Sequence, residues 1–346
     1  AAESDVEPFF LHTCVATGVP KVVPITERQL EWNAITEATA WGFDEDTVTV
    51  NVLPLFHTGG WNLQTLPTLY AGGTVVLPRE FDPGRTLAMI EDYGATQFFA
   101  VAAIYQAMAA HPDFDETDFS AVDWFMSGGG PCPESVMAAY RERGETFLQG
   151  YGLTEGGPNN LYYSTERAAQ EEKPDSVGRP FPDVDARLVE EDGTVVEGAG
   201  TGELEFRGPV TADRYLVTES DTFEGEWVST GDLARRDADG DYYIVGRTDN
   251  MFVSGGENVY PEEIESVLER HDAVAAAAVT PIPHEKWGQV PKAVVVGDVD
   301  AETLEAFARD RLAGFQVPDE WAFVDALPET GAGKLDRDAL AREFGG

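Results

Sequence analysis

SAVDWFMSGGGPCPESVMAAYRERG, residues 120–144, carries the decision about the fold. A short apolar run ends on three glycines at 128–130. Pro133 then stands at the first turn of a helix that ends near Gly144. Proline is tolerated there because the first helical N–H groups have no partner inside the helix. Strand, glycine turn and helix together are the repeating unit of a mostly parallel sheet. Working upstream, TQFFAV at 96–101 reads as a strand, DPGRTLAMIEDYG at 82–94 as a helix, and TVVL at 74–77 and TVTVNVL at 47–53 as strands bounded by Gly, Pro and acidic turns. Thr26 and Gln29 have capping-box spacing and open a helix to about Ala40.

Downstream the texture changes. From about residue 184 the chain reads as short strands joined by tight turns, with Asp-Gly at 192–193 and 239–240 as hairpin signals. After Gly246 a compact unit follows: a strand at 251–253, a helix at 261–270 opened by Pro261, strands at 274–279 and 292–296, a helix at 301–312, a strand at 321–325 and a last helix near 336–342. This α+β pattern of about 100 residues is large enough for a separate domain. The expected division is 1–247 and 248–346.

The composition bounds the function. Of 346 residues 42% are hydrophobic, which suits a folded chain with a substantial core. The 63 acidic against 23 basic residues give a net charge of −40, spread along the whole chain. Such a surface repels itself in dilute buffer and is screened in molar salt, so a folded protein of a salt-rich cytoplasm is expected. The same charge argues against broad binding to nucleic acid or anionic membrane. Cys14 and Cys132 make no disulfide framework. No apolar run has membrane-spanning length and the first residues carry no basic leader, so the expected location is cytoplasmic, without an integral membrane segment; an oligomer is left open.

Four segments pair glycines with short polar side chains where strands end: SGGGP at 127–131, QGYGLTEGGP at 149–158, STGDL at 229–233 and GRTDN at 246–250. Together with PLFHTGG at 54–60, WVSTGDL at 227–233, YIVGRTDNMFVSGGENVYPEEIE at 243–265 and PETGAGKLDR at 328–337, they resemble the ordered core motifs of the adenylate-forming (AMP-binding) superfamily. The similarity looks nearest to fatty-acid-type acyl-CoA synthetases of bacteria and archaea, with a haloarchaeal-like charge. It implies α/β and α+β architecture: a large adenylate-forming domain and a small mobile C-terminal α+β domain.

The resemblance also implies a reaction in two halves. A carboxylate attacks the α-phosphate of ATP, and coenzyme A then displaces AMP as a thioester. Cations and donors must be aimed at the crowded phosphorus. By this resemblance Tyr151 stacks on adenine beside Gly152, and Gly128, Gly129 and Gly130 form part of the nucleotide wall. Thr154 bonds the phosphate region, and Glu155 holds Mg²⁺, a hard cation that takes oxygen ligands. Asp232 binds the ribose hydroxyls with Arg247 alongside. Asp249 is the hinge of the small domain. Lys334 reaches the α-phosphate and carboxylate as a compact cation on a long stem. Gly255 and Gly256 line the pantetheine tunnel, and His57 gates between that tunnel and the acyl pocket. Trp61 and the segments 100–105 and 157–162 are candidate pocket lining.

Two departures qualify the reading. The phosphate loop reads TCVATGVPK at 13–21: Thr13, Thr17, Gly18 and Lys21 match the superfamily, while Cys14, Val15 and Ala16 replace hydroxyls and a glycine. Val15 brings a β-carbon to where phosphate approaches backbone N–H groups. The superfamily's large domain also extends well ahead of this loop, so its N-terminal part is expected to be incomplete here. The expected function is ATP-dependent ligation of a fatty or other apolar carboxylic acid to coenzyme A. The alternatives are an adenylation enzyme with a carrier-protein acceptor, and a catalytically weakened nucleotide-binding homologue.

Overall fold

The computed structural model describes residues 6–13, 21–163, 173, 175–217, 219–329 and 335–345. Thr17, Gly18 and Lys334, with Cys14, Val15 and Ala16, lie outside them.

The 120–144 stretch folds as a unit of a five-stranded parallel sheet. Its strands run in the order Thr74–Val76, Val48–Val50, Gln97–Ala100, Trp124–Ser127, Phe147–Gln149. Side chains alternate across it. Phe98, Ala100 and Phe125 enter a core built with the helices Pro83–Asp92, Ala102–Ala109 and Glu134–Arg141, while Phe99, Trp124 and Met126 enter a second core with Leu63, Leu148, Tyr163 and Trp41. Burial on both faces explains why these strands read as unbroken apolar runs. Pro133 sits one position earlier than expected, as the cap of Glu134–Arg141. The strand at 47–53 stops at Val50 because Asn51 turns its side chain to the oxygen of Gly60, the Thr65 hydroxyl and the N–H of Leu53. The Thr26–Gln29 capping box is complete and opens the helix Glu27–Trp41.

A second sheet is antiparallel, with Asp185–Val189, Gly200–Arg207 and Trp227–Arg236 side by side and Tyr242–Arg247 along the outer edge of the last. The Asp-Gly turn at 239–240 joins the final pair, with Gly240 at φ 88°. Asp237, Asp239 and Asp241 of that turn converge on the Lys173 ammonium at 2.7, 2.8 and 2.7 Å, and Asp241, wholly buried, also accepts from Arg179 Nε at 2.9 Å.

The third sheet belongs to the small α+β unit. It runs Glu257–Val259, Phe252–Ser254, Gly288–Gly297, Val274–His284, with Glu320–Phe323 parallel to Gly288–Gly297. The helices Pro261–Leu268 and Ala301–Arg309 bury Ile264, Leu268, Leu304 and Ala308 against one face, and Leu340 of Arg337–Phe344 meets Ala278 and Val294 on the other. A single 3-10 turn, Thr248–Asn250, separates the second sheet's last strand from this unit. The protein is thus a large mixed α/β domain followed by a smaller α+β domain. Among the described residues no helix is long and apolar enough to cross a membrane.

Candidate active site

The central cluster forms where the loop after Phe147–Gln149 meets the antiparallel sheet. Asp232 and Arg247 are directly paired across neighbouring strands, so their side chains share one face. Arg247 Nη1 donates to Asp232 Oδ1 at 3.0 Å, and the Tyr151 hydroxyl makes a short bond to Asp232 Oδ2. Burial pushes the Asp232 carboxyl above its ordinary range, and Tyr151 and Arg247 pull it back only in part. Burial, then the Asp232 charge, hold the Tyr151 phenol well above its own range, so it stays a donor. Each carboxylate oxygen has a second lone pair for a neutral hydroxyl ligand.

Gly152 follows where the chain folds back so closely that an added β-carbon would lie 1.4 Å from the oxygen of Pro158. Any side chain there would displace the backbone of the loop. Thr154 and Glu155 are half-buried on the same loop. Tyr215 donates to Glu155 Oε1 at 2.7 Å, and Lys21 Nζ stands 4.5 Å from the centre of the Tyr215 ring. Glu155 and Lys21 are therefore joined through a residue that motif reading passed over. Tyr215 lies in RGPVTADRY, where the Gly-Pro turn is seven residues upstream and nothing beside the tyrosine marks it. Thr13 N donates to the oxygen of Lys21 at 2.9 Å.

Gly128 continues Trp124–Ser127, and a β-carbon on it would come within 3.0 Å of the Phe99 ring and 3.3 Å of the Gly150 oxygen. Gly130 has open space beside it, so this wall is low on its outer side. That opening and the partly buried carboxylate suit a planar base and a sugar diol, and the half-buried Glu155 suits a magnesium ion bridging phosphates. Phe99 also lies 4.0 Å from a β-carbon built on Gly59, which places its ring between Gly128 and the helix that begins after His57. His57 caps that helix. It runs Thr58–Gly60, widens to a π-helix over Trp61–Thr65, and narrows again over Leu66–Tyr70. Trp61 packs against Phe9 at 5.4 Å.

Of the remaining candidates Asp249 touches this cluster, and Gly255 and Gly256 belong to the third sheet. Gly255 and Gly256 form the turn after Phe252–Ser254, with Gly255 N donating to the Trp287 oxygen at 2.9 Å. Asp249 is exposed, 3.5 Å from Arg247 Nη2. Asn250, beside it, bonds Glu262.

With the fold and cluster in place, comparison with known proteins is decisive about class. Residues 8–216 match the AMP-binding enzyme profile and residues 263–334 the AMP-binding enzyme C-terminal domain. The chain belongs to this family, the AMP-forming acid–thiol ligases. It is 38% identical to a feruloyl-CoA synthase of an Amycolatopsis species over 97% of this chain and 69% of that protein. It is 34% identical to a medium/long-chain-fatty-acid–CoA ligase of Mycobacterium tuberculosis, covering 96% of this chain and 60% of that one. Among solved structures it resembles the o-succinylbenzoate CoA synthetase of Bacillus subtilis in complex with its acyl-adenylate intermediate. The TM-score is 0.88 at 33% identity, over 98% of this chain and 69% of that one. The same enzyme has been solved with ATP and a magnesium ion.

Proposed function

We propose that this ligase activates an aromatic carboxylic acid as its acyl-adenylate and passes the acyl group to coenzyme A. The observation that carries the reading is Asp232, a partly buried carboxylate fixed by Tyr151 and Arg247 with lone pairs to spare. In this reading those lone pairs accept from the ribose hydroxyls, and adenine lies on the Tyr151 ring against Gly128, Gly129 and Gly130. Thr154 donates to the phosphates. Glu155, oriented by Tyr215, is a magnesium ligand, and the ion neutralises phosphate charge when bound. Thr13, Thr17, Gly18 and Lys21 hold the distal phosphates, and Lys334 brings a positive charge to the α-phosphate. After adenylation, rotation about Asp249 presents Gly255 and Gly256 to the pantetheine arm, and His57 opens the way to the thioester.

An aromatic acid is favoured by the ring-rich surroundings of Gly59 and Gly128. The Phe99 ring lies between Gly59 and Gly128, backed by Trp124, Met126 and Tyr163. The feruloyl and succinylbenzoate enzymes point the same way, and the sequence-based expectation of a fatty acid becomes the competing arm of the test. Carboxylate-dependent exchange of pyrophosphate into ATP, in molar potassium chloride, decides between ferulate-like, succinylbenzoate-like and long-chain fatty acids. Exchange with fatty acids alone removes the aromatic assignment, and exchange with no acid removes ligation. Products formed with coenzyme A, against a carrier protein, identify the acceptor.

A further inference from the structure

The helix Glu27–Trp41 buries an amide where packing alone would favour an apolar side chain. Asn33 is 1% exposed and makes three bonds to three places. Its Nδ2 donates to the main-chain oxygen of Asn62 at 2.6 Å and to Glu37 Oε1 at 3.1 Å, and its Oδ1 accepts from Asn159 Nδ2 at 3.0 Å.

The bond to Asn62 has a specific cause. In an α-helix the Asn62 oxygen would accept from the N–H of Leu66, but that N–H goes to Trp61 in the π-helix. The next donor in π register would be residue 67, which is proline and has no N–H. Asn62 is left with a buried carbonyl that no helical donor can reach, and Asn33 supplies the donor. At its other end Asn33 holds Asn159, on the loop that begins with Tyr151 and returns to pair with it through Leu161. All three asparagines are buried, so leaving any of these groups unpaired is costly and the arrangement is tightly specified.

We propose that Asn33 is a positioning residue for acyl-adenylate formation: it fixes the π-helix following His57 against the loop that carries Tyr151, Thr154 and Glu155, and so sets how the acid meets the nucleotide. The inference rests on the functional reading above. Glu37, fully buried, has its carboxyl held well above the ordinary range by that burial and accepts the second amide N–H at 3.1 Å, so the junction is closed on both donors of Asn33.

The test follows amide hydrogen exchange on addition of AMP, alongside steady-state pyrophosphate exchange. In the native protein AMP is expected to slow exchange both in 151–160 and in 61–66. Asn33→Asp keeps the shape and the Oδ1 acceptor but removes both donors. It should retain AMP protection in 151–160 and lose it in 61–66, with kcat for carboxylate-dependent exchange down at least about tenfold and KM for ATP within about twofold. Asn159→Ala, which leaves the Asn33–Asn62 bond in place, should give the same split, and it decides the matter if Asn33→Asp does not fold. Protection of both segments in these variants, or kcat and KM worsening together, overturns the inference alone. Absence of protection at 151–160 in the native protein overturns the nucleotide site itself, and the inference with it.

Discussion

Arg337 opens the helix Arg337–Phe344, three residues beyond Lys334, and its guanidinium forks onto a buried acid. Nη1 and Nη2 lie 3.0 and 2.8 Å from the two oxygens of Glu265, and Nη2 is also 3.0 Å from Glu262. The Arg337 and Glu265 side chains are 22% and 12% exposed, so water screens the pair little. Arg337→Met removes the cation and leaves the carboxylate buried. Breaking such a pair typically costs about 3–5 kcal/mol. Glu265 keeps the N–H of Val279 at 2.7 Å, which places the expected loss near the lower end. For a unit of about 100 residues that loss lowers the melting temperature of the small domain by roughly 10–20 °C. The sign of the pH dependence is fixed. Burial already holds the Glu265 carboxyl above its ordinary range, and losing Arg337 raises it further. A raised carboxyl favours the fold at low pH and loses that advantage as pH rises, so the penalty is larger at pH 8 than at pH 5. Glu265→Gln added to Arg337→Met should recover most of the loss at pH 8. Thermal melting in molar potassium chloride at both pH values is the assay. A loss under about 1 kcal/mol at pH 8, or one equal at the two pH values, refutes the argument.

Three further outcomes are expected. With −40 charge spread along the chain, the melting midpoint should fall steeply below roughly 0.3 M potassium chloride and recover above it; a midpoint indifferent to salt removes the inference of a salt-rich setting. Burial raises the Glu269 carboxyl to about 7, so stability should decline as pH rises from about 4.5 to 7 and level off above, and Glu269→Gln should flatten that slope and stabilise the protein at pH 8, as read by urea unfolding. Tyr215→Phe frees Glu155, and should raise the magnesium concentration needed for half-maximal pyrophosphate exchange by about tenfold while leaving AMP affinity, measured by calorimetry, unchanged.

Much of this was legible in the sequence because glycine, proline and cap chemistry act locally. The turn after Ser127, the Thr26 cap and the Asp-Gly turn at 239–240 each depend on a few consecutive residues, and each lies where the pattern placed it. The strand expected at 47–53 is shorter in the structure because Asn51 ends it through bonds to Gly60 and Thr65, which periodicity does not register. The pairing of Asp232 with Arg247 was implicit in the motifs, but Tyr215 and Asn33 were not. Each acts through a partner more than 25 residues away, Glu155 and Asn62 respectively, and neither sits in a pattern that local propensity can detect. The π-helix is equally silent in the sequence, because it depends on the Leu66 N–H reaching Trp61, which no local residue pattern encodes.

The Asp237–Asp239–Asp241 turn holds its counter-ion on a leash. Screening of the rest of the acidic surface weakens when the medium is diluted, but the Lys173 ammonium is attached to the same chain, and its local concentration does not depend on the bath. Dilution should therefore dismantle the protein in a definite order. Segments whose carboxylates rely on mobile cations release first, and the 237–241 turn, with the two strands it joins, is among the last structures to let go.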